Sequence, residues 1–292
     1  MSGDPRALLQ KADKTMASAG SGFSFFGGRE DKYMTAADLY VEAANAFRMQ
    51  GLLREAGQTF EKAAAVQGNQ LKEPDDAANT YVECFKVYRK ENPQDAVRCL
   101  EYAINQYCKK GNFRRAAQHK ENMGEVYEND LGDRKNALEC YELSAKWYEG
   151  DNATASANKL YLKVADIAAL DEEYAKAIEL YEKVVGVYIA NNLMRYSAKD
   201  LFLKAGICHL ARNDHSRTED ALNKYRDMDP TFTSTREHQL LVDLLTAMQA
   251  SDTDAFENCL FLYDQMSKLD KWKAEILLRI KNNVTVENED YS

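Results

Sequence analysis

An alanine returns about every twenty residues along most of the chain, at Ala36, Ala56, Ala77, Ala96, Ala116, Ala137, Ala157, Ala177 and Ala198. Four positions after each stands a bulky apolar residue (Tyr40, Phe60, Tyr81, Leu100, Tyr141, Tyr161, Tyr181, Phe202), Lys120 being the exception. Eight positions after, the residue is often small: Ala44, Ala64, Gly124, Ala145, Ala165, Gly206. At roughly 100° per helical residue these offsets fall on one stripe of a helix. Small flanks around a large side chain let a neighbouring helix approach closely while the ring fills the gap. Turn formers recur between the alanines at Gly51, Pro74, Pro93, Gly111, Gly132, Gly150, Asp171, Asn191–Asn192 and Asn213–Asp214. The pattern predicts an all-α, tetratricopeptide-like solenoid of antiparallel helical hairpins, each of about forty residues.

Around that array the chain divides into further regions. Residues 1–29 read as a short helix, with Leu8, Leu9, Ala12 and Met16 at helical spacing, followed by a Gly/Ser-rich loop containing Phe23, Phe25 and Phe26. The array occupies 30–215. After it the pattern weakens, with Thr218 at the alanine position and an interruption at Pro230, and 216–282 reads as a helical bundle capping the array. Residues 283–292, with Glu287, Glu289 and Asp290 and no basic residue, read as a disordered acidic tail.

Composition narrows the function. A net charge of −9 argues against nucleic acid as a partner. No apolar run reaches the roughly 18 residues of a membrane span, and the N-terminus lacks the features of a secretory signal. Six scattered cysteines without a CxxC pair read as reduced thiols of a cytosolic protein. The sequons at Asn152 and Asn283 are then chance matches. The four histidines form no ligand pair, and there is no phosphate loop or nucleophile elbow. No enzymatic activity, cofactor or metal is expected. His209, back on the packing stripe, reads as a structural histidine.

Two features point to binding instead. Phe23, Phe25 and Phe26 sit in a loop without a regular element to bury them. They either fold back onto the first hairpin or dip into a bilayer headgroup region, where three rings would need a second bound partner to hold. The second feature is charge. Lys159 and Lys163 lie two and six residues past Ala157, one helical turn apart and away from the packing stripe. Lys204 repeats the plus-six offset, and Arg114, Arg115 and Lys120 share one helix a unit earlier, whereas Glu42 and Glu83 hold the plus-six position nearer the N-terminus. This basic strip suits an acidic partner, and an acidic helical bundle would match a surface of this length. Lys120 stands in an apolar register position, so either its stem snorkels along the seam or the register slips locally.

Taken together, the long alanine/aromatic hairpins, the early Phe-rich loop, Ser156-Ala-Asn-Lys-Leu-Tyr-Leu-Lys163, Tyr196-Ser-Ala-Lys-Asp200 and Leu269-Asp-Lys-Trp272 resemble the α-SNAP family. These are the soluble attachment proteins of the N-ethylmaleimide-sensitive fusion ATPase, and the resemblance covers nearly the whole chain. It implies an adaptor, monomeric when free, cytoplasmic and peripherally membrane-associated. Several copies would coat a four-helix SNARE complex through a concave basic face and present their C-terminal ends to a hexameric ATPase that pulls the bundle apart. Lys159 and Lys163 fall on family positions that contact the SNARE bundle, and another basic family position is Gln118 here, with Lys120 close by. Phe23, Phe25 and Phe26 fall in the family's membrane-attachment loop. The acidic tail, Glu287, Glu289 and Asp290, would serve the ATPase, but Tyr291 stands where the family usually has a leucine linked to ATPase stimulation. The alternatives are a generic tetratricopeptide-like scaffold binding peptide tails and a sibling isoform with a restricted partner set.

Overall fold

The computed structural model describes residues 4–20 and 28–290, with side chains described as far as residue 284. Phe23, Phe25, Phe26 and Tyr291 therefore lie outside the described residues, as do the side chains of Glu287, Glu289 and Asp290. Among the described residues the chain is all-α and contains no strand. Its helices are α1 (Pro5–Gly20), α2 (Gly28–Met49), α3 (Leu53–Ala65), α4 (Pro74–Tyr88), α5 (Pro93–Lys109), α6 (Phe113–Glu125) and α7 (Arg134–Gly150). They continue as α8 (Thr154–Leu170), α9 (Tyr174–Ala190), α10 (Arg195–Ala211), α11 (His215–Met228), α12 (Arg236–Gln249), α13 (Thr253–Met266) and α14 (Lys271–Asp290).

The repeating stripe is what these helices bury. All nine alanines are at most 1% exposed, and of the residues four positions on, Phe60, Leu100, Tyr141, Tyr161, Tyr181 and Phe202 are buried with them. The small residue at plus eight is a steric requirement at two places. A Cβ on Gly124 would stand 2.7 Å from the Tyr141 ring, and one on Gly206 would stand 2.4 Å from a Leu241 methyl. Helix starts are fixed by side chains that accept otherwise unpaired amide protons: Asn92, Asn112, Asp133, Asp214, Thr235 and Asp252 each cap the helix they precede.

The spacing is not uniform, and at two places the structure shows what absorbs the extra residue. Four of the eight alanine steps are 20 residues; Ala77 to Ala96 is 19, and Ala56 to Ala77, Ala116 to Ala137 and Ala177 to Ala198 are 21. Within the first two of the 21-residue steps the helix widens into a one-turn π-helix, Val66–Gln70 and Val126–Asp130. Both are closed by an amide five residues on, from Leu71 to Val66 and from Leu131 to Val126. The wider turn absorbs the extra residue without moving the next alanine off the seam. Lys72 and Gly132 then take a left-handed conformation that ends the turn.

The chain packs as two compact units, Met1–Ala157 and Asn158–Ser292. In the first, consecutive helices α1 to α7 pack side by side. One apolar cluster forms around Ala12, Tyr33, Ala36 and Tyr40, and a second runs from Phe47 through Phe60, Phe85 and Leu100 to Met123 and Cys140. In the second, α10 is the hub and packs against α9, α11, α12 and α14. The sequence places the boundary of the array at 215, but here the last array helices share their unit with the C-terminal ones. The cause is α14, which returns to α8: the Trp272 indole N–H donates to the Asp166 carbonyl at 2.9 Å and Arg279 donates to the Leu170 carbonyl at 2.8 Å. The helical backbone of α14 continues to Asp290, through the stretch whose composition predicts a disordered tail. Buried Ile276, Leu277, Ile280 and Val284 supply the apolar face that carries the helix that far.

Candidate functional site

Lys159 and Lys163 are held on α8 by the residues between and beside them. Ala157, Leu160, Tyr161, Val164 and Ala165 are all buried, which fixes the helix's rotation about its axis. Two and six residues past Ala157, Lys159 is exposed and Lys163 half-buried, four residues apart and on the same side. The nearest carboxylate further along the helix is Asp166, and Lys204 occupies it. Its ammonium lies 2.7 Å from Asp166 Oδ1, and the Tyr181 hydroxyl also donates to that oxygen.

Lys204 itself is placed differently from Lys163 despite the shared offset. Its side chain is only 14% exposed, and the ammonium sits 4.9 Å from the Trp272 ring and 5.8 Å from the Tyr181 ring. Trp272 meets Tyr181 edge to face at 6.0 Å. Lys204 is thus part of a clamp that joins α8, α9, α10 and α14, with its charge spent inside the unit.

The basic residues of the first unit are likewise partly engaged. Arg114, 71% exposed, reaches toward Asp151 at 3.9 Å. Arg115 lies over the Tyr107 ring at 4.6 Å and donates to Asn79 at 3.5 Å. Lys120 is half-buried with its ammonium 3.5 Å from the Met123 sulfur. The register does not slip there, since Gly124 still seats against Tyr141 four residues on; the lysine stem runs along the seam. Glu83, the acidic plus-six residue of α4, pairs with Arg48 at 3.1 Å and with Lys86. Within the first unit, that charge is balanced locally.

The histidines behave as structural groups. His119 stacks on Tyr107 at 5.4 Å, and burial, with Arg115 and Lys86 nearby, pushes its pKa down to about 4. His209 is largely buried, 3.8 Å from Glu182. Burial opposes ionisation of Glu182, yet His209, Lys224 and Tyr225 together hold its carboxyl at about 2. Glu182 thereby ties α9 to α11 through Lys224 and Tyr225 at 2.7 and 2.9 Å.

The pattern-based reading misses two exposed apolar residues, Leu193 at 94% and Tyr196 at 79%, between α9 and the first turn of α10. Lys199 lies over the Tyr196 ring at 4.6 Å. Neither residue is on the alanine stripe, so periodicity gives them no role. The detectable signal is a large side chain placed in and just after the Asn191–Asn192 turn, where nothing is available to bury it.

Residues 3–285 match the family described as soluble NSF attachment protein, SNAP. Over all 292 residues the chain is 53% identical to a probable vesicular-fusion protein sec17 homolog of Neurospora crassa, covering the whole of both chains. It is 38% identical to the alpha-soluble NSF attachment protein of Saccharomyces cerevisiae, over 98% of this chain and 99% of that one. It is also 38% identical to the human alpha-soluble NSF attachment protein, over 97% and 96%. With matches that span both compact units at these identities, the chain belongs to the soluble NSF attachment protein family.

Proposed function

We propose that this chain is a non-enzymatic adaptor of vesicular transport that binds assembled SNARE complexes and recruits and stimulates an NSF-type AAA ATPase to disassemble them. The observation that carries the reading is the Lys159/Lys163 pair, two cations on one side of a helix whose rotation is fixed by a buried stripe. A four-helix bundle with acidic outer positions offers carboxylates along its length, and a rigid pair of lysines reads that charge without needing an exact side-chain match. Arg114, Arg115 and Lys120 add positive charge at α6. Lys204, paired with Asp166 inside the unit, holds the helices together behind that contact and adds little to the affinity itself. Leu193 and Tyr196 give the partner an apolar foothold close to Lys199.

The remaining parts divide the labour. Phe23, Phe25 and Phe26 attach the adaptor peripherally to a membrane surface, where three rings bind weakly alone and add avidity once a SNARE complex is held. Glu287, Glu289 and Asp290 engage the ATPase, with Tyr291 supplying the apolar contact near the chain's end. The adaptor acts in the cytoplasm and is a monomer when free. Among the described residues no helix is long and apolar enough to cross a membrane.

Pull-down on a preassembled four-helix SNARE bundle at moderate salt tests the reading. Wild type binds, and the Lys159→Glu/Lys163→Glu double reversal does not, while its helical circular dichroism is unchanged. Failure of well-folded wild type to bind would leave a generic helical scaffold.

A further inference from the structure

The first unit holds a chemical feature that the adaptor reading does not use. Cys84 on α4 and Cys99 on α5 are both fully buried, and their sulfurs lie 3.2 Å apart, closer than two sulfurs in ordinary contact. The Cys99 thiol donates to the Cys84 sulfur, and the Cys84 thiol donates to the Gly57 carbonyl at 3.3 Å. A carboxylate oxygen of Glu61 lies within 4.8 Å of both sulfurs. Glu61 is held in turn by a two-pronged contact from Arg98 at 2.8 Å and by the Tyr88 hydroxyl at 2.7 Å. All of these groups belong to α3, α4 and α5.

We propose that Cys84 and Cys99 are a redox-convertible pair, oxidised by hydrogen peroxide to a disulfide that clasps α4 to α5. Geometry selects both the product and the oxidant. The sulfurs need approach by little more than an ångström, across the turn of a helical hairpin, to reach bonding distance. Complete burial keeps out bulky disulfide oxidants such as glutathione disulfide, but a peroxide is little larger than water and can enter when the hairpin breathes. With Cys84 as the attacking sulfur, its thiol is pushed up by the contact with Cys99 and by burial, so the proton must first be removed. The Cys84 proton passes to Glu61. The thiolate takes one peroxide oxygen as the O–O bond breaks, and the departing hydroxide recovers the proton from Glu61 to leave as water. Cys99 sulfur then attacks the Cys84 sulfenic acid, and the Cys99 proton leaves with the displaced hydroxide as a second water. Two thiols and one peroxide become one disulfide and two waters, with two electrons passing from sulfur to oxygen. Reaction is slow in the closed fold, since both sulfurs are fully buried and the Cys84 thiol is pushed up, so the pair responds to sustained peroxide rather than to brief exposure.

The clasp closes a short loop within one hairpin and so restrains the unfolded chain more than the folded one. Its effect is a rise in the melting midpoint of the first unit.

The test uses the full chain treated with hydrogen peroxide, quenched with catalase, alkylated in denaturant and digested with trypsin. Lys86, Arg89, Lys90 and Arg98 lie between the two cysteines, so a bond between them appears as two linked peptides. The expected result is a Cys84–Cys99 linked species, two fewer alkylated cysteines, reversal by dithiothreitol, and a melting midpoint higher by about 3 °C or more. Folded Cys84→Ala and Cys99→Ala variants should each abolish the linked species. The proposal is overturned if both thiols remain alkylatable after half-buried Cys108 and Cys259 have been oxidised. It is equally overturned if the linked peptides join other cysteines, or if the oxidised protein melts lower than the reduced one.

Discussion

Helices α8 and α10 carry a lysine at the same place, six residues past the packing alanine, and the two lysines do different work. On α8, Lys163 is half-buried on the side that also presents exposed Lys159. On α10, Lys204 is shut against Asp166, Trp272 and Tyr181. Both helices are 17 residues long; what differs is that the Trp272 ring of α14 lies over the lysine of α10. α14 brings Trp272 over Lys204 on α10, whereas the Lys159 side chain on α8 is exposed. A repeat register fixes the direction in which a side chain points, and the non-repeating element decides how far it is shut inside the unit.

That contrast can be broken most forcefully at Trp272. Trp272→Ala removes the ring over Lys204, the edge-to-face contact with Tyr181 and the hydrogen bond to Asp166. For a half-buried indole this should cost about 3 kcal/mol in denaturant unfolding followed through the second unit. A loss below about 0.5 kcal/mol would mean that α14 is not what fixes α8 and α10.

Glu182 tests the opposite side of α10 through pH. Its carboxyl falls from an ordinary value of 4.5 to about 2 in the folded chain. A depressed carboxyl stabilises the fold above pH 4.5, and that stability is lost as pH falls from there toward 2. Allowing for its partial exposure, the contribution is about 2 kcal/mol. Urea titrations at pH 7 and pH 3 should show a little over half of this, about 1 kcal/mol, in wild type and lose most of it in Glu182→Gln.

Lys204→Met sharpens the comparison itself. It keeps the volume between the two rings but leaves Asp166 without its cation, at an expected cost of about 1–2 kcal/mol. A double-mutant cycle with Asp166→Asn should recover most of that as coupling. At the small end stands Arg48–Glu83, whose side chains are 41% and 37% exposed. Arg48→Ala should change stability by less than about 0.5 kcal/mol in the same assay, because exposed pairs are screened. A larger change would show the first unit's acidic face to be more than a balanced surface.

Much of this architecture could be read from the residues. The alanine stripe predicted which side of each helix is buried, and with it the outward direction of Lys159 and Lys163. The three 21-residue steps are visible as numbers, but nothing in propensity says that a π-turn would absorb two of them, at Val66 and Val126. Lys204 was legible only as a position. Its burial depends on Trp272, 68 residues along the chain in a segment outside the repeat, and long-range contacts of that kind leave no periodic trace. Leu193 and Tyr196 were missed for the converse reason: pattern reading looks for side chains to bury and passes over apolar ones that the fold leaves outside.

The most direct measurement is a side-by-side titration of wild type, Lys163→Glu and Lys204→Met against an assembled four-helix SNARE bundle, with melting curves on the same samples. The account predicts that Lys163→Glu weakens binding at least tenfold with its melting midpoint unchanged, and that Lys204→Met melts lower while keeping affinity within about threefold below its midpoint. Equal loss of binding in the two folded variants, or full binding by Lys163→Glu, would contradict it.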